Sequence, residues 1–304
     1  MKKKQLDVPI LFVAFNRPWA AEKTFAEIRK VKPKKLYISV DGPRNEEERE
    51  KVEKVRSIVS QVDWNCKVQK VFNKKNKGIE ESFDNAMKMM FKEEEYGIII
   101  EDDVLTSEAF FDFCSQMLKM YKDDERVMHI SGTNVGEITK IKEDYFFSDT
   151  AFNFWGWATW KRAWKHQDVN LKIWPKVRIK FFFRQLRKEG LLIAIKSQQI
   201  IQAFYEGKIQ TSDYQWTVIC GLLNGVCIIP KHNLVTNIGF GKDATHTTEV
   251  DPSIPIRRYS PIGNFQKQKI KINKKYSKVY SRFFIKKSFN RILKKFNPFI
   301  RNKF

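Results

Sequence analysis

The chain has 304 residues, 42% of them hydrophobic, which excludes a disordered chain and supports one large domain or two small ones. Its 57 Lys and Arg outweigh 35 Asp and Glu for a net charge of +22, so the expected partner is anionic: nucleic acid, acidic lipid or a phosphorylated ligand. Cys66, Cys114, Cys220 and Cys227 form no C-x-x-C pair, which disfavours a zinc site or a disulfide framework and fits reduced, buried thiols.

The N-terminus is basic, but the apolar residues 10–15 are too few for a signal-peptide core. No stretch has the length of a spanning helix. A cytoplasmic protein, or one peripheral on the inner face of the cell membrane, is expected. Residues 8–15 form an apolar run of strand length, stopped by Asn16-Arg17-Pro18, and Pro18 suits the first turn of a helix. Residues 20–31 carry apolar side chains at helical spacing until Pro33. A second strand over 36–40 closes in the turn Asp41-Gly42-Pro43. A charged amphipathic helix over 45–62, an alternating strand over 66–72, a basic turn and a helix over 79–91 follow. Gly97-Ile98-Ile99-Ile100 then reads as a strand buried on both faces, running straight into Glu101-Asp102-Asp103.

Strand and helix alternating over short connections predict an α/β fold with a Rossmann-like, mostly parallel central sheet flanked by helices. Arg17, Asp41 and the acidic trio then share the carboxyl edge of that sheet, where ligands of open α/β sheets bind. Three adjacent carboxylates repel one another unless a positive charge sits among them. A hard divalent cation shared with a diphosphate is the natural occupant.

Residues 107–121 read as a helix that Ser107 can cap, and 126–131 as a strand whose His129 is expected to be a satisfied core histidine. The aromatic run 152–160, with Trp164 and Trp174 beyond it, is expected to supply core rings and one or two that line an acceptor site. Helices are predicted over 177–187 and 191–205, and Phe181-Phe182-Phe183 needs another element or a membrane surface to cover it. Asp213 opens a further helix at 216–223, as an N-cap or as a functional acid. Short strands at 226–230 and 234–236 precede the glycine-rich stretch 239–246, which is long enough to close over a ligand.

From residue 267 the chain is dense in Lys and Arg. Tyr276, Val279, Tyr280 and Phe283, then Ile285, Phe289, Ile292, Leu293 and Phe296, recur at helical spacing. A basic amphipathic helix with large apolar residues reads as an interfacial membrane anchor, ahead of a solvated tail or a nucleic-acid arm. The expected organisation is a domain over 1–250, split at 135, and a basic amphipathic helical tail over 251–304.

Taken together, residues 9–17, Val40-Asp41, Glu101-Asp102-Asp103 before Phe110-Phe111, Gly156-Trp157, Ser212-Asp213 before Trp216, and Gly239-Phe240-Gly241 leading to His246 resemble nucleotide-sugar-dependent glycosyltransferases of the GT-A fold. The likeness is to N-acetylglucosaminyltransferase I and its bacterial relatives, over most of residues 8–248. The resemblance implies a nucleotide-sugar half over 1–135 and an acceptor half over 136–250. It implies that Arg17 meets the diphosphate, Asp41 reads the uracil ring, Glu101 contacts the donor sugar and Asp102 the ribose. By the same likeness Asp103 is the direct ligand of Mn²⁺ or Mg²⁺, and Asp213 is the catalytic base. Lys77 and Lys242 are candidates to assist at the diphosphate, and Trp157, Trp216 and His246 are assigned to the acceptor side and the closing loop. His246 as a second metal ligand stays an alternative. The family has two adjacent acids beside the Trp, whereas this chain has Asp213-Tyr214-Gln215-Trp216.

The implied reaction is metal-dependent, inverting transfer from a nucleotide sugar, UDP-linked by the likeness, to a glycan or lipid-linked acceptor. Such bacterial enzymes serve polysaccharide biosynthesis. The expected partners are the donor, the acceptor and an anionic membrane surface met by the tail, with no nucleic acid, because the basic residues cluster in that tail instead of tracking a groove. The rival reading is a non-catalytic, membrane-peripheral nucleotide-binding protein on the same fold.

Overall fold

The computed structural model describes residues 5–135, 141–150, 152–239, 263–280 and Phe283. In chain order the first half contains β1 (Ile10–Ala14), α1 (Pro18–Val31), β2 (Lys35–Val40), α2 (Glu46–Ser60), β3 (Lys67–Phe72), α3 (Ile79–Glu93), β4 (Tyr96–Glu101), β5 (Val104–Thr106), α4 (Glu108–Met120) and β6 (Val127–Ser131). The second half contains β7 (Tyr145–Ser148), β8 (Trp157–Trp160), α5 (Lys161–Trp164), α6 (Trp174–Glu189), α7 (Leu191–Tyr205), α8 (Tyr214–Leu222), β9 (Val226–Pro230) and β10 (Val235–Asn237).

One sheet of eight strands runs in the order β3-β2-β1-β4-β8-β6-β9-β7, and β5 pairs with β10 in a small antiparallel sheet. Strands β1 to β4, β6 and β9 point one way, while β7 and β8 run against them. The expected mostly parallel α/β sheet is thus the observed one. Alternation along each strand feeds two layers. Ile10, Phe12, Ile38, Ile98 and Ile100 join the core under α1, α2 and α4, whereas Leu11, Tyr37 and Ile99 join the core under α3, α5 and α8. Ser107 caps α4, its hydroxyl accepting the amide N–H of Phe110 at 3.3 Å.

The aromatic run departs from expectation. Residues 157–160 form β8, an antiparallel strand inserted between β4 and β6. Trp157 and Trp216 are fully buried, so neither ring offers a face to an acceptor. Trp157 instead lies parallel to His129 at 4.9 Å, and Trp216 lies 5.0 Å from Trp164. Hydrophobic payload, not ligand contact, explains these indoles.

The early part of the basic tail also differs from a free anchor. Phe265 meets Phe113 edge-on at 5.3 Å, the Gln268 N–H donates to Tyr121 and Tyr145 hydroxyls at 3.1 Å, and Ile272 bridges to Phe147 of β7. Tyr276 is 1% exposed, packs on Phe146 and accepts the Val135 N–H. This segment therefore covers the open edge of the sheet beside β7, and its apolar face points into the domain through at least Tyr280. The amphipathic positions Ile285, Phe289, Ile292, Leu293 and Phe296 lie outside the described residues.

His129 is the satisfied core histidine that the sequence predicts. Its Nε2–H donates to the Asn153 carbonyl at 3.0 Å, and its Nδ1 accepts the Trp216 indole N–H at 3.2 Å. Burial pushes its pKa down to about 3. The folded ring stays neutral where the unfolded ring takes a proton, so stability present above pH 6.5 falls as pH drops toward 3. The loss approaches about 1.4 kcal/mol per pH unit from this group. Urea midpoints measured between pH 7.5 and 4.5 are expected to fall more steeply in the native chain than in His129→Gln; equal slopes would refute the assignment.

Candidate functional site

Parallel pairing brings the carboxyl ends of β1, β2 and β4 to one edge, with Val13 opposite Glu101 and Ala14 opposite Val40. Arg17, Asp41 and residues 101–103 follow directly from those ends. Pro18 starts α1, and Arg17 at its N-cap position makes no capping bond through its side chain. Its guanidinium instead spans the acids: Nη1 donates to Asp103 Oδ2 at 2.7 Å, and Nη2 pairs with Asp102 Oδ1. Asp102 is held further by the Phe15 N–H at 3.1 Å, and the Thr24 hydroxyl donates to its backbone carbonyl at 2.9 Å. Alternation turns Glu101 to the same side as Ile99, toward the α3 and α8 layer.

One guanidinium cannot neutralise three carboxylates. Burial drives the Glu101 carboxyl well above the usual carboxylate range, and the neighbouring Asp103 charge adds to it. Burial also pushes Asp102 up to about 6, against the pull of Arg17. Burial alone would lower the Arg17 pKa, but Asp102 and Asp103 reverse that and hold it above its ordinary value. The edge is a pocket of excess negative charge that favours an additional cation.

The small β5–β10 sheet roofs this edge. The Ile238 N–H donates to the Asp103 carbonyl at 2.8 Å, and the Gly239 N–H donates to Asn237 Oδ1 at 2.8 Å. A Cβ on Gly239 would stand 2.0 Å from Asp103 Oδ2 and 2.8 Å from Arg17 Nη1. A side chain there would displace the Asp103 carboxylate or the Arg17 guanidinium, so Gly239 itself lies directly against the acid–guanidinium pair. Lys242 and His246 lie outside the described residues.

Asp213 precedes α8 but does not cap it through its side chain. Its carboxylate accepts the Thr211 hydroxyl, and its negative charge is felt at Glu101 and at Tyr280. Asp213 thus lies within electrostatic range of the acidic edge. Thr211 is tied in turn to α3, its N–H donating to Glu80 at 3.0 Å. Tyr280 was not legible as part of this region, because nothing in a basic tail marks which aromatic folds back.

Asp41 has a different setting from a free base-reading acid. It is 6% exposed and accepts from the Gly42 N–H, both Asn73 and Asn76 amides, and the Lys77 N–H. These bonds pin the turn between β3 and α3. Lys77 itself pairs with Glu81 at 3.0 Å on the exposed start of α3. Neither Asn73 nor Asn76 stood out in the sequence, because Asn in a turn is ordinary chemistry.

A divalent cation fits this edge through one atom. Asp103 Oδ1 is buried with no hydrogen-bond partner among the described residues. Among those residues no group of three or more His, Cys, Asp or Glu side chains is placed to hold a metal. One orphaned carboxylate oxygen in a net negative pocket fits an ion that takes one or two protein ligands and completes its shell from phosphates and water.

No family model matches the chain, and no curated protein matches it. Among solved structures, it is similar to a mannosyltransferase from Pyrobaculum calidifontis in complex with GDP-Man and Mn²⁺, at 10% identity and a TM-score of 0.41, over 73% of this chain and 70% of that one. It is also similar to apo-UDP-glucose pyrophosphorylase, at 10% identity and a TM-score of 0.34, over 75% of this chain and 93% of that one. Likeness at that level carries no functional argument; the acids, the guanidinium and their burial have to carry it instead.

Gly239→Ala is expected to lower stability by about 1–3 kcal/mol through forced overpacking. In an Asp103→Ala background the same change is expected to cost much less. Equal losses in the two backgrounds, by urea denaturation, would show that Gly239 does not abut Asp103.

Proposed function

We propose that the chain is a glycosyltransferase that moves a sugar from a nucleotide diphosphate donor, UDP-linked, to a hydroxyl of a glycan or glycolipid. The observation that carries the reading is the excess negative charge of Glu101, Asp102 and Asp103 around a single guanidinium, at the carboxyl edge of a parallel sheet. A solvated acidic loop would not be buried, salt-bridged and roofed.

Asp103 Oδ1 is the atom that would hold Mn²⁺ or Mg²⁺. Such an ion, when bound, supplies Lewis-acid stabilisation of the departing diphosphate. Arg17 then has two anions to serve, and its guanidinium geometry suits bidentate contact with phosphate oxygens as well as with carboxylates. Asp102, gripped by Arg17 and the Phe15 N–H, is placed to accept a ribose hydroxyl. Glu101, whose carboxyl burial and the neighbouring Asp103 push above the usual carboxylate range, is placed to hydrogen-bond the donor sugar.

Asp213 takes the acceptor proton in this reading. The acceptor oxygen forms its bond to the anomeric carbon as the bond to the diphosphate oxygen breaks, and that electron pair leaves with the nucleotide. Attack opposite the leaving group gives inversion. The support is that Asp213 does not cap its helix, is oriented by the Thr211 hydroxyl and is electrostatically coupled to Glu101. Residues 284–304, with their basic and apolar alternation, are proposed to meet the anionic inner face of the cell membrane.

Asp213→Asn is expected to lower kcat by about 10²–10⁴-fold while the donor Kd stays within about twofold. Turnover is followed by nucleotide release with a panel of nucleotide sugars and acceptors. Near-normal turnover in the variant would remove Asp213 from the base role.

A further inference from the structure

The α6–α7 hairpin is the part of the fold that the proposed chemistry leaves without a task. The two helices are joined by Gly190 alone, whose φ of 92° favours glycine. Trp174, Phe181, Ile201 and Phe204 hold the pair together as a satellite core with Val218 of α8. The outer side is apolar as well. Ile179 is 65% exposed and Phe183 61%, one turn apart on α6, and Leu191, Leu192 and Ile195 lie open on the first turns of α7, with Leu192 at 67%. Isolated exposed apolar residues need no explanation, but the four most exposed large hydrophobics of the described residues, Ile179, Phe183, Leu191 and Leu192, all sit on this one hairpin.

The charge around it has one sign. Lys176, Lys180 and Arg187 fall on the same α6 stripe as Ile179 and Phe183 at i, i+3 and i+4 spacing, and all three are exposed. Against them α6 carries one acid, Glu189, and α7 carries none. Large apolar side chains interleaved with Lys and Arg match the interface of an anionic bilayer, where rings and aliphatic tips enter the acyl boundary and the cations meet phosphates. Neither of the other available covers matches. Residues 284–304 contain no acid and several Lys and Arg, and a second copy docking through the same hairpin brings the same basic stripe, so both would set like charge on like. No helix among the described residues is long and apolar enough to cross a membrane, which fits a surface contact.

We infer that the α6–α7 hairpin is an interfacial membrane-docking element that inserts Phe183 and Leu192 into the headgroup boundary of anionic lipid. It is formed by residues other than 284–304. Because α7 leads into Asp213 and α8, docking brings the proposed acceptor side to the bilayer, which favours a lipid-linked acceptor. That last clause rests on the glycosyl-transfer reading; the docking itself does not.

The test uses the full chain with Cys66→Ser and one reporter cysteine, at Leu192 or, as a control, at exposed Lys54 of α2, labelled with an environment-sensitive fluorophore. Vesicles of phosphatidylcholine with phosphatidylglycerol are expected to shift the Leu192 label to the blue and expose it to quenching by acyl-chain nitroxides, while the Lys54 label stays aqueous. Phe183→Ser with Leu192→Ser is expected to weaken vesicle partitioning by at least about tenfold, with an unchanged melting temperature because both positions are exposed. Vesicle binding with the Leu192 label still aqueous would overturn the proposal and leave the tail as the anchor. A blue shift that depends on protein concentration and needs no vesicles would overturn it in favour of self-association. Retained donor turnover in the double-serine variant would separate loss of docking from loss of the active site.

Discussion

A lone guanidinium facing three carboxylates sets the electrostatics of the sheet's carboxyl edge. Arg17 reaches two of them, Asp102 and Asp103, and leaves Asp103 Oδ1 without a partner among the described residues. The remainder of the negative charge is met only by raising the affinity of Glu101 and Asp102 for protons. Such an arrangement is costly in a folded chain unless it is used, since unpaired buried charge is among the most destabilising features a protein can carry. Under the proposed function, a cation and a diphosphate arriving together would relieve it.

The rest of the fold serves this edge. Parallel pairing of β1 with β2 and β4 aligns three strand ends. The first turn of α1 delivers Arg17, Thr24 fixes the Asp102 backbone, and Gly239 lets the chain pass within contact distance overhead. On the far side, Thr211 joins α3 to the start of α8 and orients Asp213, while the returning C-terminal segment seals the sheet edge and brings Tyr280 into the field of Asp213. Two layers of helices and an inserted antiparallel strand thus hold acids from distant parts of the chain in one field.

Much of the sheet was legible because its signals are local. The triple isoleucine before Glu101, the Pro18 helix start and the Asp41 turn each announce an element and its end. The antiparallel β8 was not legible, since a run of Trp and Phe around Gly156 fits a ligand platform and a buried strand equally well, and only pairing with β4 and β6 decides. Trp157 was read toward the acceptor for that reason, and Trp216 through the family resemblance alone. Asp41 was found, but not the Asn73, Asn76 and Lys77 contacts that saturate it, because they come from a turn more than thirty residues on. The amphipathic period at Tyr276 was correct as a pattern, yet a period cannot say whether its apolar face meets lipid or the chain's own sheet.

Calorimetric titration of a nucleotide-sugar panel into the full chain, with and without Mn²⁺, addresses the cation requirement most directly. Donor uptake should depend on Mn²⁺ and be lost in Asp103→Asn with the fold intact by circular dichroism. Folded native protein that takes up no nucleotide sugar with Mn²⁺ present, or takes one up equally well without it, would contradict the reading of the acidic edge.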